Sequence, residues 1–327
     1  MKMKKFIYLI TLSILTSCSD KVPELKVEMV KQAHLSDLPS ASGIEYLNGK
    51  TYMVGDDMRW LVSLDKDWNV TNKFALSVID TLVNNRTPWN VKADFESMAG
   101  FNYLGKDYLL VLSSGSMAVT RDTAHLVQMG DTMVLSKKNV RELYDEIKLK
   151  VGIPDSNEIN IEGLAISDKS AFLFHRGNVF ENFIIEIELD QLMKYLLSGN
   201  GVIPETQVYF FILPEYNEIP SGFSGACMLP DNSAILYTAS LEDTKSELYD
   251  GEILGSFIGY IPLDKIQKGT SVATLLTDKN NQPINKKLES IVIKSKLNNK
   301  SVVLLVSDND DGSSDIFEMN VYFNNLD

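Results

Sequence analysis

Residues 160–178 read NIEGLAISDKSAFLFHRGN. A Glu-Gly pair opens an apolar strand, a polar turn follows at residues 167–170, and a second apolar strand ends in the polar residues 175–178. The same order of features occurs five times, about sixty residues apart, each copy opening with Glu or Ser followed by Gly or Ser. These anchor pairs are Ser42-Gly43, Glu96-Ser97, Glu162-Gly163, Ser224-Gly225 and Glu289-Ser290. A repeat of this length predicts one structural unit per copy.

A second landmark indicates the remaining strands of each unit. A third strand leads to a Leu-Asp pair in three copies, at residues 64–65, 189–190 and 263–264, and a fourth strand is clearest at residues 207–213. Four short strands joined by turns form an antiparallel sheet, which cannot bury both faces alone. Radial packing of such sheets solves this problem, so the sequence predicts an all-β, five-bladed β-propeller of four-stranded antiparallel blades.

The two ends of the chain predict how the ring closes. The last copy has only about three strands before Asp327, whereas residues 25–30 form a strand that belongs to no copy. We expect this N-terminal strand to complete the last blade, because closure removes open sheet edges. Residues 24–327 are therefore predicted to form a single propeller domain, and a six-bladed ring would need a blade hidden in an insertion. Apolar spacing at residues 140–147 and 192–197 predicts two short helical insertions.

The first residues have the pattern of an export signal. Lys2, Lys4 and Lys5 precede an apolar stretch at residues 6–15 that is too short to span a bilayer, and Cys18 follows it closely. We interpret residues 1–17 as a lipoprotein signal peptide, Cys18 as the lipidated N-terminus and residues 18–23 as a tether. The expected location is the bacterial cell envelope, lipid-anchored in the outer membrane and facing the periplasm or the cell surface. A plain signal peptide with a chance cysteine is the alternative.

Composition limits the partners. The chain has 44 acidic and 31 basic residues, a formal net charge of −13, which disfavours nucleic acid and anionic membrane surfaces as partners. We expect a monomer that contacts the membrane through its lipid anchor alone. Divalent cations fit this charge, although a solvated acidic surface also explains it. Once Cys18 is acylated, only Cys227 is left, so no disulfide can form within the chain and a buried, inert thiol is expected.

The anchors predict a ring of side chains around the channel. In a propeller the innermost strands line the central channel, so Glu96, Glu162 and Glu289 should converge there together with Ser42 and Ser224. Converging carboxylates repel one another unless a cation or proton relieves them. We therefore expect a divalent cation, Ca²⁺ in particular, held by oxygen ligands. The candidate ligands are Asp56, Glu96, Glu162, Glu289 and Asp308. The alternative is structural, with the glutamates binding backbone N–H groups of neighbouring blades.

The polar ends of the second strands should surround the same opening. Candidate catalytic residues are Glu162 and His175 for proton transfer and Arg176 for stabilising negative charge. Candidate ligand-binding residues are Ser114, Ser116, Arg121, Asn178, Glu242 and Asp243. The sequence contains no His-Glu-x-x-His motif, no phosphate-binding glycine loop before a lysine and no Gly-x-Ser-x-Gly elbow. A single histidine without a matched nucleophile is a weak indication of catalysis.

These motifs resemble a β-propeller family from Bacteroidota envelopes that is defined as a domain of unknown function. The residues that carry the resemblance are 40–44, 55–57, 94–96, 114–116 with Arg121, 160–163, 176–178 and 250–256. They extend over nearly the whole chain after the leader. The resemblance implies the propeller fold and no particular activity.

A more distant resemblance concerns two kinds of enzyme. Residues 162–165 and 307–310 are similar to phytase-like esterase propellers, and the Glu-Gly anchors are similar to those of metal-dependent sugar lactonases. These relatives imply a metal at the channel mouth and hydrolysis of a phosphate ester or lactone. The sequence departs from them because two of the five anchors are serine and because the basic residues expected for a phosphate-rich substrate reduce to Arg121 and Arg176.

Two functions follow from these observations. The first is a binding module whose channel face holds a small polar ligand, a glycan or a protein partner, together with a divalent metal. The second is a metal-dependent hydrolase of a phosphate ester, carboxylic ester or lactone. We favour binding, because no nucleophile motif is present and because propellers commonly use a loop-covered face for recognition.

The lipid anchor can be tested directly. Metabolic labelling with a fatty-acid probe should mark the protein in its native host, and Cys18→Ala should abolish the label because the acylated thiol is gone. Cys227→Ala is the matched control and should keep the label. Label retained by Cys18→Ala would exclude lipidation at this residue.

Overall fold

The computed structural model of the protein describes residues 24–78, 81–178, 180–199, 201–243, 251–278 and 280–324. Residues 1–17, Cys18 and the rest of the tether therefore lie outside the described residues. Five separate antiparallel sheets are arranged as the blades of a five-bladed β-propeller, as the repeat predicts.

The strands follow the repeat closely. The chain begins with β1 (Glu24–Leu35) and continues with the four strands of blade 1, β2 (Ala41–Leu47), β3 (Lys50–Gly55), β4 (Trp60–Leu64) and β5 (Val70–Ala75). Blade 2 consists of β6 (Phe95–Tyr103), β7 (Lys106–Ser113), β8 (Thr123–Gln128) and β9 (Val134–Asn139). After helix α1 (Arg141–Val151), blade 3 consists of β10 (Ile161–Ile166), β11 (Ser170–His175), β12 (Asn182–Glu188) and, after helix α2 (Leu189–Leu197), β13 (Thr206–Phe211).

The last two blades complete the ring. Blade 4 has five strands, β14 (Glu215–Tyr216), β15 (Ile219–Met228), β16 (Ala234–Asp243), β17 (Glu252–Pro262) and β18 (Val272–Leu275), with a 3-10 helix at Leu263–Lys268. Blade 5 contains β19 (Lys287–Leu297), β20 (Lys300–Asp308) and β21 (Ser314–Asn324). Its fourth and outermost strand is β1, which pairs antiparallel with β21 and places Val27 opposite Val321. The prediction that the N-terminal strand closes the last blade is confirmed.

Each anchor residue forms a β-bulge. In every blade the innermost long strand shifts register against the next strand at one of the anchors, which are Ser42, Glu96, Glu162, Ser224 and Glu289. The innermost strand of blade 5 has a second shift further along, between Ile293 and Ser295. A bulge inserts an unpaired residue and redirects its side chain. The repeated anchor is therefore the signature of a bulge at the start of each innermost strand.

The residue after each bulge is small because the innermost strands approach closely. A Cβ atom on Gly225 in blade 4 would lie 2.6 Å from the Ser290 Cα in blade 5. A Cβ on Gly163 in blade 3 would lie 3.1 Å from the backbone carbon of Gly225. In blade 1, a Cβ on Gly43 would lie 3.1 Å from the Met98 Cβ of blade 2. Contacts between successive blades thus explain the Gly or Ser of the repeat.

The hydrophobic core is divided among the interfaces between blades. Five buried clusters each fill one interface between successive blades, so the apolar faces of every sheet are covered by its neighbours. Both helices join the cluster between blades 2 and 3, where Tyr144 of α1 and Leu192 of α2 are buried. Cys227 is a buried free thiol. No helix within the described residues is long and apolar enough to cross a membrane.

The close approach of the blades predicts that adding a methyl group at Gly225 destabilises the protein. Gly225→Ala would place a methyl group 2.6 Å from backbone of blade 5, so we expect a loss of about 1–3 kcal/mol in the free energy of unfolding, measured with urea. Gly130→Ala is the control, because its nearest contact would be the Thr132 carbonyl oxygen at 3.7 Å. Equal stability of the two variants would contradict tight packing around the axis.

Candidate functional site

A polar cavity of about 410 Å³ lies where the bulges and the ends of the second strands meet. Nine carboxyl groups and five basic groups line it. The acidic residues are Asp56, Asp57, Asp94, Glu96, Glu162, Glu242, Glu289, Asp308 and Asp310. The basic residues are Arg86, Lys92, Arg121, Arg176 and Lys287. Acidic and basic side chains are therefore mixed, with the acidic groups in excess.

The five bulge residues divide into two kinds. The Ser42 hydroxyl donates to the Phe95 carbonyl of blade 2, and the Ser224 hydroxyl donates to the Leu288 carbonyl of blade 5 at 2.5 Å. Both serines thus link neighbouring blades. Within the described residues, none of the three glutamates bonds to the backbone of a neighbouring blade, and all three line the cavity instead. Bonding to the backbone of a neighbouring blade is therefore the role of the two serines and not of the three glutamates.

Lys92 lies among three aspartates. Its ammonium group donates to Asp56 and lies 3.1 Å from Asp94 Oδ1 and 3.4 Å from Asp57 Oδ1. Burial alone would lower the pKa of Lys92, but the carboxylates of Asp56 and Asp94 raise it above its usual value. Lys92 is therefore a built-in cation for this side of the cavity. Asp57 also accepts a hydrogen bond from Arg86 Nε.

A second cluster joins blades 3, 4 and 5. Arg176 donates to Glu242 through Nη2, and its Nη1 lies 3.6 Å from Glu162 Oε2. Asn160 Nδ2 donates to Glu162 Oε1 at 2.7 Å. Lys287 Nζ lies 3.1 Å from Glu289 Oε1, which gives that glutamate a cation from its own strand. Burial nevertheless raises the pKa of Glu162, and it raises that of Glu289 to about 8 despite Lys287.

Glu96 has no such cation. Burial and the carboxylates of Asp94 and Glu162 raise the pKa of Glu96 well above its usual value, and within the described chain it forms no ion pair. Burial likewise raises the pKa of Asp56 to about 7, although Lys92 opposes this shift. One carboxylate oxygen from each of Asp56, Asp94 and Glu96 lies within 4.8 Å of the others. This group has the residue types and spacing of a divalent cation site.

The loop after β7 forms the wall beside Asp94. Asp94 accepts hydrogen bonds from the hydroxyls of Ser114 and Ser116 and from Arg121 Nη1, the last at 3.0 Å. The Trp89 ring lies 5.5 Å from the centre of the Arg121 guanidinium. Trp89 is about half exposed at the rim of the cavity.

Most of the residues selected from the sequence meet in this cavity. The lining includes all five metal candidates and also Ser116, Arg121, Arg176, Asn178 and Glu242. Three selected residues do not line it. Ser114 lies behind Ser116 and supports Asp94. Asp243 is exposed at the end of β16, opposite Glu252.

His175 is the third residue that the structure does not bring into the cavity, which corrects its expected place at the opening. The ring is fully buried and stacks on Phe183, with centroids 4.3 Å apart. Its Nδ1 accepts a hydrogen bond from the backbone N–H of Asn160 at 3.0 Å. Burial lowers the pKa of His175 to about 3, so the ring is neutral. His175 thus supports Asn160, whose side chain contacts Glu162.

Sequence reasoning missed several lining residues that a simple rule would have found. Side chains two residues apart share one side of a strand. The residues two positions before the anchors include Ser40, Asp94, Asn160 and Lys287, and all four line the cavity. Arg86, Trp89 and Lys92 come from the connection between blades 1 and 2, which lies outside the repeat. No spacing in the sequence could have placed these three.

Family comparison agrees with the resemblance to a domain of unknown function. A family model described as a family of unknown function, DUF6929, matches residues 37–321. The chain belongs to this family. No curated protein sequence matches it significantly.

Solved structures are similar in fold alone. Glutaminyl cyclase from Myxococcus xanthus is 9% identical, with 91% of this chain and 97% of that chain covered and a TM-score of 0.44. The PQQ-bound aldose sugar dehydrogenase from Streptomyces coelicolor is 12% identical, with coverage of 92% and 100% and a TM-score of 0.44. The α-L-arabinofuranosidase from Podospora anserina is 11% identical, with coverage of 87% and 91% and a TM-score of 0.46.

Removing Lys92 should lower the stability of the folded protein, because the aspartates around it lose the cation that balances their charge. We expect Lys92→Met to lose about 3 kcal/mol of unfolding free energy at pH 7.5, because buried carboxylates are left without their cation. Burial raises the pKa of Asp56 in the folded protein to about 7 even though Lys92 opposes the shift, and removing Lys92 raises it further. The two folded proteins therefore differ in the charge of Asp56 only as pH rises through about 7, so the loss should grow above pH 7 and be smaller at lower pH.

Urea titrations at several pH values measure this difference. Lys66→Met is the control, since Lys66 is 87% exposed and pairs with the exposed Asp67. A loss for Lys92→Met that is independent of pH would contradict the electrostatic explanation.

Proposed function

We propose that the protein binds a small polar ligand in the cavity of its propeller channel. The observation that carries this proposal is a set of buried polar atoms that have no hydrogen-bond partner within the described residues. They include Asp56 Oδ1, Glu289 Oε2 and both Nε and Nη2 of Arg121, and all three residues line the cavity. Buried polar groups are ordinarily paired. A ligand with both donors and acceptors would complete these bonds.

A divalent cation, Ca²⁺ in particular, is part of the proposal. Asp56, Asp94 and Glu96 would hold it, since their oxygens lie within 4.8 Å of one another and Asp56 Oδ1 has no donor within the described residues. A bound Ca²⁺ would supply a Lewis acid that attracts oxygen atoms of the ligand. Lys92 contacts Asp56 and Asp94, so a cation competes with its ammonium group for these two carboxylates.

Hydrolysis of an ester or lactone is the second candidate. The observation that favours it is the raised pKa of Glu96 and of Glu289, the latter about 8, because a carboxylic acid that stays protonated near neutral pH can act as a general acid. Glu162 with Arg176 would then orient the substrate and stabilise negative charge. Phosphate esters, carboxylic esters and lactones are the substrate classes to test.

The proposed location would make the ligand extracytoplasmic. We propose that the lipid on Cys18 holds the propeller at the bacterial outer membrane, on its periplasmic or surface side, as a monomer. The tether at residues 18–23 leads directly into β1, the outermost strand of blade 5.

The cation can be tested by thermal unfolding. Ca²⁺ in hundredfold excess over its Kd should raise the Tm by about 4 °C, and EDTA should reverse the rise, because the ion binds the folded state only. Glu96→Gln removes one carboxylate and should abolish most of the rise. Glu205→Gln, a change at an exposed glutamate, is the control and should respond like the unchanged protein.

Two results would contradict the proposal. The first is a Tm that does not respond to millimolar Ca²⁺. In that case Asp56 and Asp94 would serve only as ion-pair partners of Lys92. The second is turnover of chromogenic phosphate esters, carboxylic esters or lactones that is abolished by Glu162→Gln, which would replace binding with hydrolysis as the main function.

A further inference from the structure

Arg121 is a buried cation of the cavity whose hydrogen bonding is incomplete. Its side chain is only 5% exposed, and Nη1 donates to Asp94 Oδ2 and to Ser116 Oγ, each at 3.0 Å. Its Nε and Nη2 have no partner within the described residues. These two nitrogens form one edge of the guanidinium group, with parallel N–H bonds that match the two oxygens of a carboxylate or phosphate.

The other arginines of the cavity are engaged by the protein. Arg86 Nε donates to Asp57, and Arg176 contacts Glu162 and Glu242 as well as Asn178. Arg121 therefore differs from them in kind. Its Nε–Nη2 edge is therefore left without the acceptor that a buried guanidinium group ordinarily has.

The loop holds Arg121 in place before any ligand arrives. The Arg121 N–H donates to the Met117 carbonyl at 3.1 Å, and its own carbonyl accepts from the Gly115 N–H at 2.7 Å. Val119 in the same loop has φ of 76°, a strained conformation for a β-branched residue. Strained backbone of this kind is concentrated at functional sites, and a preorganised arginine binds with little loss of entropy.

We propose that the Nε–Nη2 edge of Arg121 receives the carboxylate of a small monocarboxylic acid that also carries hydroxyl or ammonium groups. This inference rests on the proposed ligand-binding function and names the ligand class. With nine carboxyl groups against five basic groups in the lining, a second negative charge on the ligand is repelled. The unpaired Glu289 Oε2 instead favours a hydrogen-bond donor on the remainder of the ligand.

Arginine side-chain NMR tests this assignment directly. The chain has five arginines, Arg59, Arg86, Arg121, Arg141 and Arg176, so the Nε–Hε spectrum of ¹⁵N-labelled protein is simple. Titration with D-glucuronate, a hydroxylated probe, or L-alanine, an amino probe, should move the Arg121 resonance saturably. D-glucose, which lacks the carboxylate, should leave it in place, and inorganic phosphate should bind at least about tenfold more weakly.

Two variants accompany the titration. Arg121→Lys keeps the charge but loses the fork, so calorimetry should show at least about tenfold weaker binding of the carboxylate probe. Arg59→Lys is the control, because Arg59 also stacks on a tryptophan, Trp60, but does not line the cavity. Its affinity for the probe should equal that of the unchanged protein.

Several outcomes would overturn the inference. They are an Arg121 resonance that neither carboxylate moves, phosphate binding as tightly as the carboxylates, or equal affinity in Arg121→Lys. The Ca²⁺-dependent rise in Tm separates this failure from failure of the proposed function. If Ca²⁺ stabilises the protein while no carboxylate reaches Arg121, the cavity binds ligands of another class.

Discussion

The close approach of the five innermost strands is the constraint on which the rest of the structure depends. A Cβ atom on Gly225 would lie 2.6 Å from backbone of the next blade, and one on Gly163 or Gly43 would lie 3.1 Å from atoms of the next blade. A bulge directly before each small residue turns one side chain out of the ladder. Serine at this position joins two blades through a backbone carbonyl, whereas glutamate faces the cavity. The same β-bulge thus provides either a contact between blades or a side chain that lines the cavity, depending on the residue that occupies it.

The cavity brings many carboxyl groups together, and the protein reduces the repulsion between them in two ways. Part of the negative charge is neutralised internally, since Lys92 lies among three aspartates and Arg176 lies between Glu162 and Glu242. The rest is reduced by protonation, because burial raises the pKa of Glu289 to about 8 and that of Glu96 well above its usual value. A site of this kind changes its charge when a cation arrives, since protons leave the carboxyl groups as the cation binds.

Much of the fold could be predicted from the sequence because propeller blades repeat. The five anchors, the Leu-Asp marks and the spare N-terminal strand were enough for the number of blades and for the closing strand. The carboxylate ring was predictable for the same reason, since equivalent positions share one channel. The position of His175 was predicted wrongly because its side chain is buried and does not face the cavity, and its ring stacks on Phe183. Arg86, Trp89 and Lys92 were missed because a connection outside the repeat carries them, and its path depends on tertiary contacts.

Joining the first strand to the last also sets when the ring can close. Residues such as Val27 and Val321 are separated by nearly the whole chain, and the entropy of closing so long a loop must be met before their pairing stabilises anything. Blades 1 to 4 are built from neighbouring segments and can form in sequence, but blade 5 is completed only after the final strand has been made. The ring is therefore closed by pairing between its first and last strands. A nascent chain cannot enclose the channel early, and the finished one cannot release either end without opening the circle.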